Sequence, residues 1–444
     1  MILPTRSWFL VAAGLALLAP IATLRPEAAL LLVGADLLWI AGFLADAWRA
    51  AGAPLGDLTP SRDAPPAFSV GRPLPVVYRW RNPWNRPLVI RVREEVSASL
   101  RPPGGGGGGG EERQVLLAAG GSAREELVFV PVRRGKETAG TMHVRVRGPW
   151  GLAWRQGRIA LPWPVTVYPR LDRALPSLLP PARRRREAGL RSVRRPGEGR
   201  LFESLREWVP DDDSRTIDWK ATARRGKVMV RQYEDERRQQ VLLVLDAGRM
   251  LTAVSDDRPR LEAAIDAALS LAASAADHDD DIGLLVFTDR VERYLRPARG
   301  RRALRAIMDA LAAVEGRLVE PDYPAAFAYL AARSRKRAFT VVFTDVIDRT
   351  ASEALLAQAG ALRPRHLPLA VTIRDPALER LVLDRPADVE AAFWRAAAEE
   401  LLLARAEALA EMRRQGVLVL DVAPGSAARE VVAQYERLKR TGRI

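Results

Sequence analysis

The chain has no cysteine, which excludes disulfide staples, thiolate metal sites, cysteine nucleophiles and iron–sulfur clusters. Histidine is almost as scarce. Only His143, His278 and His366 occur, and no two share a motif, so a histidine-rich metal site or a compact Ser–His–Asp signature is not encoded. Acidic residues fall short of basic ones, 54 against 69, for a formal net charge of +15. That excess implies acidic partners, anionic lipid or nucleic acid without choosing among them. Apolar residues are plentiful, at 48% of 444. That is enough material, in a chain too long for one ordinary core, for two to four folded units.

Trp8 to Leu24 carries no charge, and Ala28 to Trp48 is interrupted only by Asp36 and Asp46. A spanning helix needs about 20 apolar residues. Both stretches are read as spans, joined by Arg25-Pro26-Glu27 into a transmembrane helical hairpin over residues 1–50. Trp8, Trp39 and Trp48 suit interfacial positions. The alternative for the first stretch is a cleaved signal peptide, because Arg6 precedes an alanine-rich apolar run. No clean small-residue cleavage site precedes the next hydrophobic helix, however. Two spans put both termini on one side of the membrane. Arg49, Arg62 and Arg72 then favour the cytoplasm, and hence the inner (cytoplasmic) membrane with the soluble domains inside. Asp36, costly at membrane depth, is expected to be neutral or paired between the helices, with an oligomer contact as the alternative.

Over residues 65–172 the pattern changes to period two, as in Pro75 to Arg81, Leu88 to Glu94, Glu126 to Val132, Thr141 to Arg147 and Val165 to Tyr168. Turn formers separate these runs, which predicts an antiparallel β-sandwich-like domain. The glycine run Gly104 to Gly110 reads as a flexible hairpin tip, since no Gly-Lys-Ser/Thr follows it to make a phosphate loop. His143 lies inside an alternating strand with no ligand-spaced partner and is expected to be a packed or surface residue. Residues 173–200 form a Pro/Arg linker with Arg183 to Arg186 at its centre. Lacking interleaved aromatics, it is read as solvated beside an anionic membrane rather than as a specific nucleic-acid site.

Residues 201–240 mix both charge signs with Trp208, Trp219 and Tyr233. Asp212, Asp213, Asp218, Trp219, Lys220, Arg224 and Arg225 are the candidates here for an interdomain or partner surface. Opposite charges beside rigid aromatics can lock two domains together, and they can equally offer docking anchors. The clustered carboxylates could hold Mg²⁺ or Ca²⁺, but the neighbouring arginines argue for salt bridges. Leu205-Arg-Glu-Trp-Val-Pro210, Asp212-Asp213 and Arg215-Thr-Ile-Asp-Trp-Lys-Ala-Thr-Ala-Arg224 resemble the hallmark of the bacterial domain of unknown function 58 family. Asp211 stands where that hallmark more often has Gly. Val132-Arg-Arg-Gly135, Gly148-Pro-Trp-Gly-Leu152 and Val167-Tyr-Pro169 are similar to further motifs of the family. The resemblance implies association with a MoxR-type AAA+ ATPase and a C-terminal half like a von Willebrand factor type A domain.

Residues 241–444 read independently as a doubly wound α/β unit. Continuous apolar runs at Val241 to Leu245, Ile282 to Phe287, Phe339 to Phe343, Leu367 to Ile373 and Val417 to Leu420 alternate with Ala/Leu-rich helical segments. Val291 to Leu295 is expected to pair antiparallel beside the second strand. Asp246 and Asp345 end two strands, where such sheets bind ligands. The von Willebrand resemblance implies a metal-ion-dependent adhesion site there, built on Asp-x-Ser-x-Ser. This chain reads Asp246-Ala-Gly-Arg-Met250, and the loop holding Asp322 offers no matching threonine. Two hydroxyl ligands are missing, so the site is read as degenerate. No cofactor is expected, with Mg²⁺ the weaker alternative. Asp246 and Asp345 are expected either to cap or pair locally or to be bridged by Arg249 in place of the cation. Asp277, Asp279, Asp280 and Asp281 are expected to form a solvated loop at a helix end.

These observations favour a non-enzymatic, membrane-anchored interaction protein. Its expected contacts are membrane lipid, a MoxR-type AAA+ ATPase implied by the resemblance, and client proteins in chaperone-like assembly or activation. A metal-dependent hydrolase using the strand-end carboxylates and a basic nucleic-acid binder are the alternatives.

Overall fold

The computed structural model describes residues 1–24, 26–52, 55–58, 60–65, 67–97, 99–101, 112–170, 201–209, 217–234, 239–255, 258–346, 353–363 and 365–444. The glycine run 104–110 and the linker 173–200 lie outside the described residues. The chain divides into two compact units, Met1–Arg170 and Leu171–Ile444.

The first unit opens with α1 (Arg6–Leu24) and α2 (Pro26–Ala51). Within α2, the 23 residues Ala29–Ala51 are long and apolar enough to cross a bilayer, and only 6% of the stretch is buried. At 1.5 Å per residue it reaches about 35 Å. The apolar part of α1, Arg6–Pro20, is shorter. The Trp8 ring packs 5.6 Å from that of Phe43. Leu30, Leu31, Leu37, Leu38 and Leu44 remain exposed. Asp36 is exposed on α2, and among the described residues no ion pair or hydrogen bond joins it to α1.

The β-rich part that follows contains β1 (Leu74–Arg81), β2 (Leu88–Glu95), β3 (Arg113–Leu117), β4 (Ser122–Pro131), β5 (Gly135–Arg147) and β6 (Ala153–Tyr168). One sheet runs in the order Ile2–Pro4, β6, β5, β2, β3, and the other in the order Ser61–Asp63, β1, β4, Leu100–Arg101. The period-two pattern sends alternate side chains to one shared core. Val76, Tyr78 and Trp80 from β1 meet Ile90, Val92, Val144, Val146, Phe129 and Trp163. Each such aliphatic side chain contributes about 1.5–3 kcal/mol by leaving water. The β5–β6 register shifts between Ala160 and Trp163. There Gly140, at φ +124, faces the Leu161 carbonyl so closely that no Cβ would fit.

The second unit begins with the antiparallel pair β7 (Leu201–Glu207) and β8 (Met229–Glu234), with α3 (Trp219–Arg225) between them in sequence. Its main sheet contains β9 (Gln240–Asp246), β10 (Asp281–Phe287), β11 (Val291–Ala298), β12 (Ala338–Thr344), β13 (Leu367–Ile373) and β14 (Leu418–Val422). The order is β11-β10-β9-β12-β13-β14, parallel except for β11, which pairs antiparallel with β10 as expected.

Helices α4 (Arg260–Asp277), α5 (Gly300–Ala312), α6 (Tyr323–Arg333), α7 (Glu353–Leu362), α8 (Pro376–Leu383), α9 (Val389–Arg414) and α10 (Ala427–Arg440) complete the unit. Val241, Leu243 and Leu245 join a core with α4, α5 and α10, while Leu242 and Val244 join a second core with α6, α7 and α9. Burial on both faces is why β9 has no polar alternation.

In the acidic stretch Asp277 and Asp279 are exposed as expected, but Asp280 departs from expectation. Asp280 is fully buried, accepting from Tyr435 Oη at 2.5 Å and from Lys439 Nζ at 2.6 Å on α10. Burial, with the Asp280 charge alongside, pushes the Tyr435 phenol far up.

Candidate functional site: carboxylates at the strand ends and an exposed capped helix

Parallel strands bring their carboxyl ends to one edge, where β9 ends at Asp246, β12 runs into Asp345, β13 is followed by Asp375 and β14 holds Asp421. Asp246 is fully buried. Its Oδ1 accepts from the Gly248 amide at 2.8 Å, and its Oδ2 accepts from Tyr323 Oη and Thr344 Oγ1, each at 2.8 Å. Tyr323 is placed at the start of α6, which Asp322 caps by accepting from Ala325 N. Burial raises the Asp246 carboxyl above its ordinary range against the pull of these three donors, and raises the Tyr323 phenol well above its own.

Asp345 is held differently. Arg260, the first residue of α4, donates to its Oδ2, and Arg405, from the middle of α9, donates to its Oδ1 at 2.6 Å. Arg260 also reaches Asp375 at 3.0 Å, where Ser255 Oγ donates at 3.1 Å. Arg405 also reaches Asp421 at 2.8 Å, where Thr372 Oγ1 donates at 2.7 Å. Burial pushes the Asp345 carboxyl up while the two guanidiniums oppose it. Two arginines therefore lace the ends of three strands to α4 and α9.

Of the two expected arrangements, the Arg249 bridge is not formed, and local amides cap both carboxylates, Gly248 N on Asp246 and Val346 N on Asp345. Arg249 pairs with Glu320 instead, with side chains 45% and 60% exposed. The two carboxylates are satisfied separately, Asp246 by neutral donors and Asp345 by Arg260 and Arg405. A hard divalent ion needs about six oxygen ligands. Here Gly248 and Met250 offer none from their side chains, and every carboxylate oxygen of Asp246 and Asp345 already accepts a protein donor. Among the described residues, no group of three or more His, Asp or Glu could hold a metal ion. The donor set does not fit such an ion.

The second constellation is α3. Asp218 caps its N-terminus, accepting from Lys220 N and Ala221 N at 3.0 Å. Gly226, at φ 66, closes its C-terminus with its amide on the Thr222 carbonyl. Thr222 Oγ1 accepts from Met229 N at 3.0 Å and ties the helix to β8. On this short fixed helix Trp219 is 70% exposed, and Lys220, Arg224 and Arg225 are exposed with it. The structure thus gathers five of the seven candidates of this segment, with Asp218 serving as the cap. Asp212 and Asp213 lie outside the described residues.

Sequence reasoning did not single out Arg260, Arg405, Tyr323, Thr344, Asp375 or Asp421. It also missed an exposed apolar face on α8 and α9, where Leu383, Val389, Phe393 and Trp394 stand in water. The adjacent Phe393 and Trp394 in an Ala/Leu-rich helix were the available signal. His143 contacts Glu95 at 2.6 Å, and this bond holds the Glu95 carboxyl below its usual range.

Comparison with curated proteins gives no match. Residues 204–394, which include α3, β9, Asp246 and Asp345, match the family model described as "Protein of unknown function DUF58", the family that the Leu205–Arg224 block resembles.

Proposed function

We propose that this protein is a membrane-anchored, non-enzymatic adaptor that uses the α3 face to bind a MoxR-type AAA+ ATPase, in chaperone-like assembly or activation of client proteins. The observation that carries this reading is Trp219, 70% exposed on a helix capped at both ends and surrounded by exposed cations. Large aromatics and arginines are favoured binding anchors, and holding one rigidly in water has a cost that a partner would repay. The strand-end carboxylates suit structure better than catalysis, because their oxygens are occupied. The ATPase is what the family resemblance implies.

The anchor in this reading is the α1–α2 hairpin, spanning twice, with the soluble domains on the cytoplasmic side of the inner membrane. Exposed leucines along α2 support it. So does the arrangement of the first unit: Ile2–Pro4, just before α1, pairs with β6, and the end of α2 also meets β6 through Arg155 and the Ala51 carbonyl. Both helix ends thus return to the same domain. The β-domain acts as a spacer, and the α/β unit, with its single antiparallel edge strand, is read as von Willebrand factor A-like.

Affinity capture from membranes with the tagged full chain tests this. Wild type is expected to retain the ATPase, and Trp219→Ala with Arg224→Ala to lose most of it. Full retention by the double variant would refute the α3 face, and turnover of a substrate by the purified chain alone would refute the adaptor reading.

A further inference from the structure

The first unit carries a basic groove at the end of its apolar helix. It measures about 710 Å³, and its lining includes Arg86, Leu116, Arg147, Pro149 and Trp150. None of the described lining residues is acidic. Arg86 makes its hydrogen bond to a backbone carbonyl, that of Arg49, at 3.1 Å. No ion pair engages Arg49, Arg86 or Arg147 among the described residues. Leu116 is 68% and Trp150 52% exposed, so the groove offers apolar surface beside unneutralised guanidiniums.

Its depth relative to a bilayer follows from Asp46. That carboxylate is fully buried near the end of the bilayer-length stretch and accepts from the amides of Trp150, Leu152 and Ala153 at 2.8, 2.8 and 2.9 Å. One helical turn further on, the Arg49 guanidinium lies 4.7 Å above the Trp150 ring. The turn that forms one wall of the groove is therefore fixed to the last turns of the helix, at the level where apolar residues give way to cations. Tryptophan favours that interfacial level, and arginine pairs with phosphate through two parallel hydrogen bonds.

We propose that this groove is a binding site for an anionic phospholipid, with Arg86 and Arg147 gripping the headgroup phosphate and Leu116 and Trp150 lying against its glycerol and upper acyl carbons. The inference rests on the membrane-anchor reading and adds a specific site to it. Charge complementarity and position at the helix end select a lipid over a soluble anion, which would not need the exposed apolar wall.

The test uses the full chain purified in mild detergent. It is offered equal amounts of phosphatidylglycerol and phosphatidylcholine, and retained lipid is counted by native mass spectrometry. Wild type is expected to retain phosphatidylglycerol several-fold over phosphatidylcholine. Arg86→Gln with Arg147→Gln is expected to bring the ratio near parity, each single variant to lower it in part, and Arg437→Gln on α10 to leave it unchanged. Parity in wild type, or an undiminished preference in the double variant, would overturn the site while leaving the anchor standing. Recovery of the full chain from cells without detergent would overturn the anchor, and the site with it.

Discussion

Arg405 and Asp345, 60 residues apart in the chain, meet at 2.6 Å between guanidinium Nη1 and carboxylate Oδ1. Both side chains are largely withdrawn from water, at 12% and 2% exposure. The same guanidinium holds Asp421, so one side chain of α9 fixes the ends of two strands. Arg260 does the same for Asp345 and Asp375 from α4. Two cations built into the chain thus neutralise three converging carboxylates.

Removing one partner of such a pair leaves a buried charge unmatched. Arg405→Met is expected to destabilise the α/β unit by about 3–5 kcal/mol. Adding Asp421→Asn should recover part of that, because Asp345 keeps Arg260 while Asp421 pairs, among the described residues, with Arg405 alone. Urea unfolding of the two variants beside wild type measures both steps. A double variant no more stable than the single one would mean that Arg405 acts through packing rather than charge.

The same arrangement makes a definite expectation for metal. Titration calorimetry of the full chain with Mg²⁺ should show no tight binding event, since Asp246 and Asp345 have no unoccupied carboxylate oxygen. Tight binding abolished by Asp246→Ala would show that the hydroxyls of Tyr323 and Thr344 yield to the ion, and would restore the adhesion-site reading.

Asp246 also predicts a pH dependence of known sign. Its folded pKa lies above the ordinary value of 3.8 because burial penalises the charged form. A carboxyl raised on folding contributes its stability fully below the unfolded pKa and loses it as pH rises through the folded one. Wild type should therefore lose stability relative to Asp246→Asn as pH climbs from about 4 through the raised pKa. Urea midpoints of both proteins across that range give the difference directly. Parallel curves would mean that Asp246 folds in the same protonation state it has when unfolded.

How far the sequence could reveal this depends on where each residue finds its partners. The strands of the α/β unit were legible because burial on both faces leaves uninterrupted apolar runs, and Asp246 and Asp345 were legible because they stand where those runs stop. Arg260 and Arg405 were not, since each reads locally as one more helix charge and gains meaning only from carboxylates far away in the chain. Asp280 misled for the same reason. Among four aspartates it reads as solvated loop, and only α10, bringing Tyr435 and Lys439 from 155 and 159 residues away, buries it. In α3, by contrast, the capping aspartate, the helix and the closing glycine are neighbours in sequence, and the exposed face they present could be read as a unit.

Asp46 was legible only as an acid near the end of an apolar stretch, while its three amide donors lie 104 to 107 residues later. Gly148 stands so close that a Cβ there would collide with the Asp46 carboxylate. Gly148→Ala should therefore act at a distance from its own small change, forcing the carboxylate off the turn. Asp46→Ala should do the same by removing the acceptor, leaving amides unsatisfied at a cost of about 1–3 kcal/mol each where water cannot replace it. Hydrogen exchange of the full chain in detergent reads the outcome. Both variants are expected to speed exchange at Trp150, Leu152 and Ala153, while the amides of β9 in the other unit keep their wild-type rates. Unchanged protection of the turn in Asp46→Ala would mean that strand pairing alone holds it, and that the helix end and the β-domain are not coupled through this carboxylate.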